Sequence, residues 1–168
     1  MSAPPWDSDM AGTAEAGPPP GEEHPGEDDL LRLDRQLCFR LYAASRLVTR
    51  LYQPVLEPLG LTYPQYIVLM ILWEDAPCTV GHIGTRARLN SNTLTPLLKR
   101  LEQLGFVRRS RGAADERVVE IALTETGVGL KSRCRCIPAE LAKRSGVPPE
   151  KIAALTQLLD ELLGHLET

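Results

Sequence analysis

The stretch that most constrains this chain runs from Thr79 to Gly127, TVGHIGTRARLNSNTLTPLLKRLEQLGFVRRSRGAADERVVEIALTETG. Its first third has the composition of a short helix, and the polar break Asn90-Ser91-Asn92 reads as a turn. Leu94, Leu97, Leu98, Leu101 and Leu104 then recur at helical spacing, and Gly105 sits where such a helix would stop. Two short strand-like runs follow, Phe106 to Ser110 and Val118 to Leu123, joined by a polar loop with Gly112 and Asp115-Glu116-Arg117.

Helix, turn, helix and charged hairpin together predict a winged helix-turn-helix, with the second helix in a DNA major groove and the wing beside it. Ser91, Asn92, Thr93 and Thr95 crowd the start of that helix, where side chains reach base edges and free backbone N–H groups meet phosphate. Lys99 and Arg100 lie farther along, better placed for phosphate. The Ser/Asn/Thr cluster could equally serve only as a helix cap, but a basic hairpin follows it. Pro96 is compatible with a helix that begins near Asn92, since a missing N–H is tolerated only close to a helix start.

Charge distribution supports the same reading. The chain has 168 residues and a net charge of −3, yet its first 29 residues hold eight acids and no Lys or Arg, so the remainder carries +5. Arg86, Arg88, Lys99, Arg100, Arg108, Arg109, Arg111 and Arg117 cluster within the reader, the footprint of a DNA-facing surface whose binding would be strongly salt-dependent.

TLTPLLKRLEQLGFVRRSR followed by ADERVVEIALTETG resembles the MarR (multiple antibiotic resistance regulator) family of winged-helix repressors, and the match runs from about Leu30 to the C-terminus. The wing of such proteins carries Asp-x-Arg, here Asp115 and Arg117, and the resemblance implies that this carboxylate orients the wing around a DNA-facing arginine. Taken alone, the two side chains would be an ordinary exposed ion pair. The expected architecture is mainly α with a small β-hairpin wing. An acidic Pro/Gly-rich tail, residues 1–28, would be disordered, and a MarR-type domain would span 29–168. Within it, 62–123 would form the winged helix-turn-helix, and 29–57 and 124–168 would supply dimerisation helices.

The helical segments have their own signals. Leu30, Leu33, Leu37, Leu41, Ala44, Leu47, Val48 and Leu51 give a long amphipathic helix from about Asp29 to Gln53, with Pro54 expected to bend or end it. Tyr66 to Trp73 reads as a largely buried helix. Thr124 would cap a helix to about Ala142, and Pro148 or Pro149 would open the last one, through Leu166. Since one winged helix touches too few bases to be selective, the terminal helices predict a homodimer on a palindromic operator duplex.

Cys38 lies on the first helix in Leu37-Cys38-Phe39, where a lone cysteine commonly serves as a small hydrophobe. Tyr42 is one turn farther along the same face. Tyr52 is about 21 Å away at about 1.5 Å per residue, so it would meet only a partner subunit's sulfur; Tyr63, past a loop, could do the same. This spacing, with LCFRLYAASR and LGLTYPQY around it, is similar to the organic-hydroperoxide-sensing branch of the MarR repressors. The resemblance implies that Cys38 is the peroxide-reactive residue and that Tyr52 and Tyr63 reach it from the other subunit. Phenolic donors would stabilise a thiolate, an organic hydroperoxide would convert it to sulfenic acid, and another thiol would condense with that product.

The chain departs from the two-cysteine members of the branch. Their resolving position, a few residues beyond a Pro that matches Pro138, is occupied by Lys143. Cys134 and Cys136 lie slightly upstream as candidate resolving thiols, and a small-molecule thiol is the alternative. Cys78 reads as structural. His24, His82 and His165 are scattered, so no metal site is expected, and no cofactor motif or nucleophile-base constellation points to an enzyme. The head has no basic start with an apolar run, and no stretch is long enough to cross a bilayer, so a cytoplasmic protein is expected. Two other functions fit the same residues: a repressor released by a small aromatic ligand, with Cys38 merely packed, and a thiol peroxidase whose winged helix binds protein.

Overall fold

The computed structural model describes residues 31–111 and 118–167. The expected disordered tail, residues 1–28, and the wing residues Asp115 and Arg117 lie outside the described residues. The chain divides into two compact units, Met1–Leu41 and Tyr42–Thr168.

In the first unit a 3-10 turn at Leu33–Arg35 precedes the opening of helix α1 (Leu37–Leu56). The α-helix thus starts later than its apolar pattern suggested. Arg32 explains the delay: its guanidinium holds Asp34 through Nε and Nη2 at 3.2 and 3.1 Å, and side chains two apart on an α-helix face away from each other. The guanidinium of Arg32 also holds the Asp34 carboxyl below the usual carboxylate range.

The second unit begins within α1, which runs through Pro54 to Leu56 rather than stopping before it. One missing N–H two residues from a helix end costs a single backbone bond, and the side chain of Leu56, 1 % exposed, anchors that end in the core. A 3-10 turn at Glu57–Leu59 ends on Gly60 at φ 68°, a left-handed conformation that glycine adopts without strain. Helix α2 (Tyr63–Asp75) follows, closed at its start by a capping box in which Gln65 Oε1 accepts the Thr62 N–H at 2.9 Å. It is apolar on every side and therefore central: Tyr66, Val68, Leu69, Ile71 and Leu72 are all buried.

The reader is built around α2. Strand β1 (Cys78–Thr79) leads into α3 (Val80–Ala87), then α4 (Ser91–Gln103), β2 (Val107–Arg111) and β3 (Val119–Leu123). The three strands form an antiparallel sheet in the order β1-β3-β2, with Arg109 opposite Ile121 and Cys78 opposite Ile121 on the other side. Pairing of Cys78–Thr79 with the wing was not legible beforehand, because two residues carry no periodicity. Leu94, Leu98 and Leu101 of α4 pack into one core with Ile83, Val107 and Ile121. The turn between α3 and α4 is at Arg88, in the left-handed region at φ 53°. Asn90 is the cap, its Oδ1 accepting the Thr93 N–H at 2.9 Å, so Ser91 and Asn92, expected in the turn, already belong to α4.

Thr124 caps α5 (Glu125–Cys134) as expected, its hydroxyl accepting the Gly127 N–H at 3.0 Å. The single helix expected to reach Ala142 is instead broken into α5 and α6 (Ile137–Ser145). Pro138 explains the break, since it lacks an N–H and fits only the opening turn of a new helix. Helix α7 (Pro149–Leu166) closes the chain with no buried residue along its length. The mainly α fold with a small β wing is as anticipated. Among the described residues no single helix is long and apolar enough to cross a membrane.

Candidate functional site

Helix α4 presents its polar start to solvent. Ser91, Asn92 and Thr93 are exposed, as are Lys99 and Arg100. Thr95 is half-buried and its hydroxyl donates back to the Ser91 carbonyl at 2.7 Å. Of the expected base-facing residues, Ser91, Asn92 and Thr93 thus have exposed side chains, while Thr95 is engaged with its own helix. Arg111 ends β2 on the exposed strand edge. An acid-base cluster braces the other end of the reader: Asp75 Oδ2 lies 2.6 Å from both His82 Nε2 and Arg86 Nη1, and Arg86 also reaches Glu74 at 2.9 Å. Hydrogen bonds from His82 and Arg86 hold the Asp75 carboxyl below the usual range. His82 is therefore a structural brace, and its N–H is bound by Thr79 Oγ1 at 3.1 Å.

Cys38 is exposed in the first turn of α1, in the first unit. The expected phenols belong to the second unit and do not behave alike. Tyr42 is 58 % exposed, with the Arg46 guanidinium 5.5 Å from its ring centre. Tyr52 and Tyr63 are half-buried together, their ring centres 4.4 Å apart. Burial, then the neighbouring Tyr63 and Tyr66 phenols, pushes Tyr52 up to about 12, so its O–H keeps its proton at any physiological pH.

Tyr66 is a member of this cluster that the sequence reading missed. Its ring lies 6.0 Å from Tyr52 and 6.1 Å, edge-on, from Trp73, and burial raises its phenol above the ordinary value. The signal was present, since Tyr63, Tyr66 and Trp73 recur at helical spacing, but a buried helix hides a functional aromatic among core ones. The row ends at the base of the wing: Trp73 Nε1 donates to the Gly127 carbonyl at 2.9 Å, and Lys131 Nζ donates to the Trp73 carbonyl at 3.2 Å. No side chain fits at Gly127, where a Cβ would stand 2.0 Å from the Phe106 oxygen.

The remaining cysteines differ in access. Cys134 ends α5 and is 3 % exposed, and burial pushes its thiol up. Cys136 precedes α6, is exposed, and its Sγ donates to the Arg133 carbonyl at 3.6 Å. Cys78 is half-buried, with its thiol likewise raised by burial. Among the described residues no group of three His, Cys, Asp or Glu side chains could hold a metal ion. A cleft of about 520 Å³ lies beside Tyr63, lined also by Arg50, Gln53, Leu56 and Leu61.

The relatives found by comparison with known proteins are transcriptional regulators. The family described as transcriptional regulator SarA/Rot matches residues 50–134. The organic hydroperoxide resistance transcriptional regulator of Bacillus subtilis is 46 % identical over 138 residues, 80 % of this chain and 94 % of that protein. The HTH-type transcriptional regulator TtmR of Methylorubrum extorquens is 46 % identical over 141 residues, 84 % of this chain and 72 % of that protein. Among solved structures, reduced AbfR bound to DNA is 39 % identical with a TM-score of 0.66, covering 84 % of this chain and 99 % of the AbfR chain. AbfR has also been solved overoxidised on DNA and in a disulfide form.

Proposed function

Since this chain belongs to the MarR family of winged-helix transcriptional regulators, we propose that it is a repressor that binds operator DNA as a homodimer and leaves it when an organic hydroperoxide oxidises Cys38. The reading is supported by an exposed thiol at the start of α1, by a half-buried Tyr52–Tyr63 phenol pair within the second unit, and by 46 % identity to an organic hydroperoxide resistance regulator. Each phenol pair serves the Cys38 of the other subunit, since about 21 Å of helix separates Cys38 from its own Tyr52.

The chemistry balances without a cofactor. The Cys38 thiolate attacks the distal peroxide oxygen, the O–O bond breaks, and the departing alkoxide takes a proton to become an alcohol. Cys38 is left as sulfenic acid, oxidised by two electrons. A second thiol then displaces water to form a disulfide. Of the two internal candidates, Cys136 is the accessible one, and a small-molecule thiol is the alternative. The phenol O–H groups support the reaction by donating to the thiolate.

The exposed apolar faces support dimerisation. Ile152, Leu155, Leu158, Leu163 and Leu166 stand in a stripe on α7 and are 37 to 73 % exposed, and an amphipathic helix with nothing on its apolar face does not persist in water. Leu47 and Val48 of α1 are at least half exposed as well. Sensor and reader are connected within each subunit by the row Tyr52, Tyr66, Trp73 and Gly127, which reaches the foot of the wing; a shift of α1 on oxidation would be passed along it. On DNA, Ser91, Asn92, Thr93 and Thr95 face the bases and Lys99, Arg100 and Arg111 hold phosphates, while Asp115 and Arg117 keep the DNA-binding role that the family resemblance gives them.

The cleft of about 520 Å³ beside Tyr63 favours a second reading, release by a reversible aromatic ligand. Replacing Cys38 with Ser separates the two. The variant binds DNA and ignores peroxide if oxidation is the signal, and still responds to inducer if a ligand is.

A further inference from the structure

We propose that the cleft between the start of α3, the Thr95–Leu98 side of α4 and the base of the wing seats one backbone phosphate of the bound duplex, held by Arg109. The proposal rests on the DNA-binding reading above and adds to it a site and a residue that the base-reading helix does not use.

Strand alternation makes Arg109 anomalous. Successive side chains of a strand face opposite sides, and the register puts Val107, Arg109, Ile121 and Leu123 on one face of the sheet. Val107 and Ile121 are 2 % and 0 % exposed, so this is the face turned to the core. An arginine there breaks the apolar pattern, and positions that break a local folding rule are where function is expected.

Among the described residues, Arg109 Nε is buried and makes no hydrogen bond. Glu102 Oε1 accepts the Arg109 backbone N–H at 3.2 Å. A charged, partly desolvated donor with no acceptor costs free energy until an anion reaches it.

The space beside it suits an oxyanion. The cleft has a volume of about 430 Å³, and Thr79, Gly81, Thr95 and Arg109 supply the polar part of its wall; none of the lining residues is acidic. It opens at the first turn of α3, at the positive end of the helix dipole, where Thr79 Oγ1 already accepts the His82 N–H. Only the Thr79 hydroxyl, at 3.8 Å, lies near the point where Gly81 would carry a Cβ, so nothing blocks that turn. α4 and the wing, the two elements that the DNA-binding reading sets against the duplex, form the other walls, which favours a phosphodiester over a free anion as the occupant.

The test compares wild type, Arg109→Met and Arg109→Lys, all reduced, on a duplex selected from a random pool and on an unselected duplex of equal length. Across about 50 to 300 mM salt, Arg109→Met should weaken both duplexes by a similar factor, about tenfold, and flatten the log-log salt slope by about 0.9, while Arg109→Lys keeps the slope. Its melting temperature should be unchanged or higher, because an unpaired charge has left a core-facing position. Should the Met variant fail to fold, Arg109→Gln gives the same readout. Wild-type affinity and slope in a folded variant would overturn the phosphate seat and leave the DNA-binding reading intact. Wild type that binds neither duplex would overturn that reading itself. Stabilisation of wild type by inorganic phosphate, lost in Arg109→Met but without any change in DNA salt slope, would reassign the cleft to a free anion and overturn the proposal.

Discussion

The rings of Tyr52 and Tyr63 stand 4.4 Å apart with 46° between their planes, although one closes α1 and the other opens α2. The left-handed turn at Gly60 brings the two helix ends together, and burial then sets their chemistry. A phenol pushed up to about 12 is a permanent hydrogen-bond donor. Such a donor suits the proposed role of stabilising a thiolate without competing with it for charge.

That shift has a consequence at alkaline pH. Because the Tyr52 pKa is raised from 10.0 to about 12 in the folded protein, its stabilising share is complete below pH 10.0 and disappears as pH climbs towards about 12. Urea midpoints of wild type should therefore fall, relative to Tyr52→Phe, across that window. Parallel curves for the two proteins would mean that the phenol is not held as the geometry requires.

Two glycines of α5 should respond oppositely to alanine. A Cβ at Gly127 would meet the Phe106 carbonyl at 2.0 Å, whereas one at Gly129 meets nothing within 4 Å. Gly127→Ala should cost more than about 2 kcal/mol and loosen the base of the wing, and Gly129→Ala should stabilise by about 0.5 to 1 kcal/mol through helix propensity. Chemical denaturation of both variants checks the pair.

Leu158 on α7 is 63 % exposed in the isolated chain. Leu158→Glu should convert the protein to a monomer with a lower melting temperature and greatly weakened operator binding, because a charge cannot be buried unpaired in an apolar seam. Analytical ultracentrifugation reads the mass directly. An unaltered dimer would move the interface off α7.

Much of the reader was legible in the sequence because its signals are local. Leu94, Leu98 and Leu101 fix the buried face of α4, Thr79 and Thr124 cap the helices that they precede, and the two wing strands fall within a residue of their expected bounds. What escaped depends on contacts distant in sequence or on competition between signals. The apolar repeat around Leu33 suggested helix, but the Arg32–Asp34 pair wins there. Pro138 outweighs the helical pattern on either side of it and splits α5 from α6. Tyr66 looked like core until its neighbours Tyr52 and Trp73 were placed, and Arg109 looked like one more surface cation until the register turned it inward.

The central claim concerns one sulfur. Reduced wild type and Cys38→Ser should bind the selected duplex equally. After one equivalent of cumene hydroperoxide, wild type should leave the DNA while the Ser variant stays, and mass spectrometry should locate the new sulfenic acid or mixed disulfide on Cys38. Release of both proteins by peroxide, or oxidation confined to Cys78, Cys134 or Cys136, would contradict the account.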